Sequence, residues 1–238
     1  MITLAIDTCE ARGSVAVRRD GFTIRLKKHV DSTDYSGWLL PAVDEVLAEG
    51  GTKMKDVDLL AVATGPGSFT GLRVGLTTVK AWAEVYGKPL VGVSRLEAMA
   101  RSQAGVASFV AACYHAQRGQ MFGGLYRSLN GRWAGVGDEL VISAEEFVAL
   151  VEKQAGAEAI TWISLDPELI TKLEGWKQRV ARGDTIYGCT PGLASTIGTL
   201  AEERAARGEF SDPLELDANY VRRSDAEILW KSPSANVR

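Results

Sequence analysis

Apolar residues alternate with polar or small ones over residues 2–7, 14–18 and 22–26, and the gaps are filled by Glu10-Ala11-Arg12-Gly13 and by Asp20-Gly21. A period of two broken by turn residues predicts three short strands in an antiparallel meander, with Asp20-Gly21 as a tight hairpin turn. From Tyr35 the period lengthens. Tyr35, Trp38, Leu39, Ala42, Val43, Val46 and Leu47 stand three and four apart, and Gly50-Gly51 ends the run. That spacing predicts an amphipathic helix over residues 35–47.

Residues 58–64, DLLAVAT, are almost uninterruptedly apolar, the mark of a strand covered on both faces. A glycine-rich stretch follows, then a helical pattern over 70–86, Gly87 as a stop, and a strand over 90–93. Strand, turn, helix and strand at this length make a parallel crossover unit. Ser94 begins a further helix containing Leu96, Glu97 and Met99, with Glu97 in capping-box spacing. The second half starts as the first did, with strands over 108–114, 121–127 and 132–136. A helix over 143–153, a strand over 159–164 and a helix from 192 to about 207 follow. Strands first and helices afterwards, twice over, predict a duplicated α/β architecture. The division is an N-terminal lobe over 1–105, a C-terminal lobe over 106–210 and a tail over 211–238. The tail is expected to pack back on the N-terminal lobe with a mobile end.

Composition narrows the function classes. A formal charge of −3 over 238 residues argues against a surface that binds nucleic acid everywhere, because phosphate binding needs clustered Lys and Arg. Cys9, Cys113 and Cys189 are far apart without a C-x-x-C pair, so neither a disulfide framework nor a zinc knuckle is indicated and a reducing cytoplasm fits best. The opening MITLAIDT has no basic flank, and no apolar run reaches the ~18 residues of a membrane span. The chain is read as neither exported nor anchored.

The stretch ATGPGSFTGLRVG, residues 63–75, admits three readings. Its glycines could aim backbone N–H groups at an anion on the following helix N-terminus, although it matches neither the Walker pattern nor G-x-G-x-x-G. They could instead permit close helix-to-sheet packing, with Ser68 or Thr70 capping the helix. The third reading concerns the helix itself. Leu72, Val74, Leu76, Val79, Ala81, Trp82, Val85 and Tyr86 point in nearly every direction, so it needs a second cover besides its sheet.

Other candidates are few. Asp7 ends the first strand, where a carboxylate could hold a metal-bound phosphate or hydrogen-bond the adjacent turn. His29 and His115 are the two histidines, too few and too far apart for a helical His pair. His115, at a strand end, reads as structural rather than catalytic, and no G-x-S-x-G elbow is present. Most of Arg73, Arg95, Arg118, Arg222 and Arg223 read as surface charges, although an Arg beside the glycine turn would also suit a carboxylate on a partner.

LAIDT, PGSFTGLRVGL with its helix, GKPLVGVSRLEAMA and NYVRRSDAE together resemble the TsaB (YeaZ) family over most of the chain, least between residues 131 and 190. The resemblance implies an actin-like, sugar-kinase-like (ASKHA) fold of two lobes, each a mixed sheet flanked by helices. It also implies a part in forming N6-threonylcarbamoyladenosine beside the anticodon of tRNAs that read codons beginning with A. In that family the protein is a non-catalytic paralogue of TsaD, the subunit that transfers the threonylcarbamoyl group with a metal held by a His pair, and TsaE supplies an ATPase. Here the corresponding region reads Val30-Asp31-Ser32-Thr33-Asp34-Tyr35-Ser36, without the pair. Cys9 stands where the actin-like phosphate motif has glycine, and the family's Asp-Ala-Arg-Arg-Gly is His115-Ala116-Gln117-Arg118-Gly119. Both departures point away from an enzyme.

The expected partners are therefore a TsaD-like catalytic subunit, a TsaE-like ATPase, a second copy of the chain when alone, and tRNA through the complex. No cofactor is assigned to this chain, while ATP and a metal ion belong to the wider complex. Tyr35, Trp38, Leu39, Val43, Leu72, Leu76 and Trp82 are the expected interface, and Asp7, Gly65, Gly67, Ser68 and Thr70 a vestigial phosphate site. No catalytic or metal-binding residue is assigned. The rival is an independent actin-fold ATPase or small-molecule kinase using Asp7 and the glycine turn. A peptidase would need the missing metal ligands.

Overall fold

Asp20 and Gly21 both take positive φ, 51° and 86°, the left-handed pair that a two-residue hairpin turn needs. They join β2 (Ser14–Arg19) to β3 (Phe22–Lys28), and β1 (Ile2–Asp7) pairs antiparallel with the other side of β2. The computed structural model describes residues 1–30, 34–103, 108–129 and 132–221. Within it, α1 (Tyr35–Glu49) and a 3-10 turn (Met54–Asp56) lead to β4 (Leu59–Gly65). The helix α2 (Phe69–Tyr86) then crosses to β5 (Leu90–Ser94), and β1, β4 and β5 run parallel. The sheet order is β3-β2-β1-β4-β5.

After α3 (Arg95–Arg101) the pattern repeats with β6 (Phe109–His115), β7 (Met121–Leu129) and β8 (Arg132–Gly135). Next come β9 (Leu140–Ile142), α4 (Ala144–Ala155) and β10 (Ile160–Ser164). The series ends with α5 (Glu168–Thr171), α6 (Trp176–Arg182), β11 (Thr185–Gly188) and α7 (Ala194–Ala206). The second sheet runs β11-β10-β6-β7-β8, with β9 also on β7. Thus β6, β7, β8, β10 and β11 take the places of β1 to β5, which is the duplicated actin-like, sugar-kinase-like arrangement. Ser143 and Glu146 close a full capping box on α4. At Ser94 the side chain accepts from the Glu97 N–H, but Glu97 turns away to Arg204.

Three apolar layers stack through the molecule. Leu4, Ile6, Val15 and Val62 of the first sheet pack outward on α1 and α2. Phe109, Ala111 and Trp162 of the second pack outward on α4. Between the sheets lie α3 and α7, with Leu96, Met99, Ile197 and Ala201 in the shared core. The two middle helices are exchanged: α3 packs on β6 and β7, and α7, last in sequence, packs on β1, β2 and β4. Arg18 of β2 is correspondingly buried in a bidentate pair with Glu202 of α7 at 3.0 Å. Residues 211–221 run along β5 and α2, whereas Gly105 and residues 222–238, including Arg222 and Arg223, lie outside the described residues. Among the described residues no helix is long and apolar enough to cross a membrane.

Candidate functional site: the interlobe cleft and the α1–α2 face

The glycine turn seats the start of α2 on the end of β1. The Ser68 N–H donates to the Cys9 carbonyl at 2.6 Å and Thr8 Oγ1 to the Gly71 carbonyl at 2.7 Å. A Cβ on Gly67 would overlap the Cys9 carbonyl, one on Gly71 the Thr8 carbonyl, and one on Gly75 the Thr8 hydroxyl. Gly65 has φ 112° and precedes a cis proline, Pro66. Ser68 caps α2, accepting from the Gly71 N–H at 3.4 Å. The glycines therefore allow close packing, and Thr70 is left exposed on the first turn.

Above this turn opens a cleft of about 630 Å³ between the lobes, walled by Cys9, Ser68, Tyr114, His115, Arg118 and Tyr220 among others. Asp7 does not reach it. Its Oδ1 accepts the Cys9 N–H at 3.0 Å, and its Oδ2 stands 3.2 Å from Arg95 Nε, with both side chains fully buried. The Arg95 guanidinium lies 4.7 Å from the centroid of the Tyr114 ring, and the Tyr114 hydroxyl donates to the Pro66 carbonyl at 2.6 Å. Burial, and after it the Asp7 charge, pushes the Cys9 thiol well above its ordinary range, so it is a neutral space-filler. A magnesium nucleotide, which the fold class implies, does not fit these residues: the carboxylate that would face its metal already has a cation, and Tyr114 lies between that cation and the cleft. Arg95, expected on the surface, is instead in the core because Asp7 supplies the counter-charge that makes its burial tolerable.

His115 is exposed at the cleft, and its Nδ1 accepts from the Gln117 N–H at 3.1 Å. Gln117, Arg118 and Gly119 take φ of 62°, 53° and 71°, a left-handed run that turns β6 back into β7. His29 is buried, with Nδ1 2.6 Å from the Ala11 carbonyl. Of residues 30–36, the region that lacks the His pair, 31–33 lie outside the described residues. Among those described, no three His, Cys, Asp or Glu side chains group as a metal site would.

Of the seven expected interface residues, four need correction. Leu39, Val43, Leu72 and Leu76 are 1%, 1%, 1% and 5% exposed, because the outward apolar face of the sheet requires that layer. They are core, not partner-facing. Tyr35 plugs the β1–β2 turn, its hydroxyl accepting from the Gly13 N–H at 2.7 Å and donating to the Glu10 carbonyl. Trp38 packs edge-on against His29, ring centroids 4.9 Å apart. Trp82 lines a groove of about 520 Å³ with Leu40, Met54 and Tyr86. The residues turned outward are ones the expected interface left out: Val85 is 75% exposed, Leu40 53% and Tyr86 43%. Helical phase about the buried Leu72 and Val79 would have separated Val85 from them.

Comparison with known proteins agrees with the geometry. The family model described as "TsaD: tRNA N6-adenosine threonylcarbamoyltransferase" matches residues 29–168. The Escherichia coli tRNA threonylcarbamoyladenosine biosynthesis protein TsaB is 35% identical over 61% of this chain and 64% of its own length. The Bacillus subtilis TsaB is 29% identical over 97% of this chain and 98% of its own. A crystal structure from Pseudomonas aeruginosa, of a protein described as similar to peptidase YeaZ, superposes with a TM-score of 0.76 at 27% identity, covering 93% of this chain and 99% of that one. With the duplicated sheets and the PGSFTGLRVG turn, these likenesses place the chain in the TsaB (YeaZ) branch of the TsaD-type family.

Proposed function

We propose that this chain is a non-catalytic subunit of the assembly that forms N6-threonylcarbamoyladenosine next to the anticodon of tRNAs reading codons that begin with A. It acts by docking through the outer side of α1 and α2 on a TsaD-like catalytic subunit. The assignment of its Escherichia coli and Bacillus subtilis relatives to tRNA threonylcarbamoyladenosine biosynthesis supports that part of the reading. The observation that carries the scaffold reading is the outer side of α1 and α2, where Leu40, Val85 and Tyr86 stand exposed beside the Trp82 groove. Apolar surface of this kind is what a specific interface buries. A helix pair of the same construction, from the catalytic subunit or from a second copy when the chain is alone, is the occupant proposed. A TsaE-like ATPase joins the complex, tRNA is met through it, ATP and the metal ion are used there, and the setting is the cytoplasm.

Reconstitution tests the reading. Purified TsaD-like and TsaE-like subunits with ATP, threonine-derived substrate and tRNA are expected to make the modified nucleoside only when this chain is added, and the chain alone to make none. Product formed equally well without it would overturn the proposal. Calorimetry with magnesium and ATP on the isolated wild-type chain separates the kinase alternative: sub-millimolar binding would favour that rival.

A further inference from the structure

Residues 211–221 reach both lobes. Ser211 pairs with Leu90 on the free edge of β5, its N–H donating to the Leu90 carbonyl at 2.8 Å and its hydroxyl accepting from the Gly92 N–H at 3.0 Å. Leu216 fills the space over Gly92, where a Cβ would meet it, and its carbonyl accepts from Lys80 Nζ on α2 at 2.9 Å. The Asn219 N–H donates to the Thr64 carbonyl of β4 at 2.7 Å, and its Nδ2 donates to Glu139 Oε2 at 2.6 Å. Glu139 lies before β9 in the second lobe, where its Oε1 also accepts from Tyr126 at 2.5 Å and from Ser94. Tyr220 stacks on Phe69 of α2, centroids 5.3 Å apart, and its hydroxyl accepts from Arg73 Nε at 3.3 Å. Asn219, Tyr220 and Val221 form one wall of the cleft.

We propose that this segment is a latch: Asn219, beside the bond that Ser94 of β5 also gives Glu139, clasps the second lobe to the first and so limits the opening of the cleft, while Tyr220 ties that setting to the first turns of α2. Asn219 has a two-torsion side chain, and its backbone is held on the first sheet while its amide is held on the second lobe. Separation of the lobes by much more than an ångström breaks one bond or the other. The Nδ2 bond goes to a carboxylate, the stronger class. Glu139 is satisfied from three elements at once, so loss of Asn219 removes one of three donors rather than dismantling the site. The cleft opening and the flank of α2 bearing Phe69, Arg73 and Lys80 therefore change together.

Hydrogen–deuterium exchange on the full chain tests the latch. Asn219→Ala is expected to speed amide exchange by about tenfold, the size of one charge-assisted hydrogen bond, in residues 136–142 of the second lobe as well as in 211–221. Tyr220→Ala is expected to speed exchange in 211–221 and in the first turn of α2 while residues 136–142 keep the wild-type rate. Asn219→Asp, which sets two carboxylates face to face without loss of volume, should reproduce the Asn219→Ala pattern. Faster exchange confined to 211–221 in both Asn219 variants, or an equal rise at 136–142 in Tyr220→Ala, would overturn the proposal.

Discussion

Arg95 Nε stands 3.2 Å from Asp7 Oδ2, and neither side chain has any exposed surface. The first strand thus ends on a carboxylate that is paid for internally, by a residue on the helix leading to the other lobe. Breaking one side of a buried pair leaves an uncompensated charge and costs about 3–5 kcal/mol. Arg95→Met should lose stability on that scale, and adding Asp7→Asn should restore most of it. Urea unfolding of the two variants checks this, and an Arg95→Met loss that Asp7→Asn fails to recover would show that the arginine acts through packing alone.

Gly67 has no room for a side chain, because a Cβ would overlap the Cys9 carbonyl, a backbone atom. Gly67→Ala is expected to cost about 1–3 kcal/mol through displacement of the α2 cap from β1. The urea midpoint reads it directly. A neutral substitution would return the turn to a ligand-binding explanation.

Two leucine-sized positions on neighbouring helices should behave oppositely. Leu72 is 1% exposed on α2 and Leu40 53% exposed on α1, so Leu72→Ala should cost about 2–5 kcal/mol and Leu40→Ala within about 0.5 kcal/mol. Thermal or urea unfolding of both, side by side, is the measurement.

Glu139 gives an unusual pH dependence. Its burial raises its pKa above the ordinary 4.5, against the hydrogen bonds from Ser94, Tyr126 and Asn219 that lower it. The folded state then holds the proton more tightly than the unfolded chain does. The contribution of Glu139 to stability is fully present below about pH 4.5 and is lost as pH rises from there through the raised folded value. Measured against Glu139→Gln, the wild type should gain relative stability as pH falls from 7 toward 4.5. A relative loss over that window would mean the carboxylate is favoured in the fold.

The strands and long helices were legible because their apolar periods run over enough residues. The period-two runs before and after Asp20-Gly21 became β2 and β3, and the three-and-four spacing from Tyr35 became α1. Elements of three to seven residues, β9, α5, α6 and β11, left no period to read. The site was legible only in part. PGSFTGLRVG pointed to the right turn, but α2 is apolar nearly all round, so its core side could not be told from its outer side by composition. Arg95 and Glu139 were hidden for another reason: a charged residue in a polar-looking stretch reads as surface until its counter-charge or its donors, 88 and 80 residues away in Asp7 and Asn219, are brought beside it.

On the proposed reading, the outer side of α1 and α2, where Leu40, Val85 and Tyr86 are exposed, is the face that docks on a TsaD-like subunit. The most direct measurement is the mass, by light scattering, of the complex formed between a TsaD-like subunit and either wild-type chain or Val85→Asp. Val85 is 75% exposed, so the substitution leaves the fold in place, the carboxylate in the last turn of α2 costing no more than about 1 kcal/mol. A heterodimer is expected with the wild type and separate monomers with Val85→Asp. An equally tight heterodimer with the variant would contradict that reading.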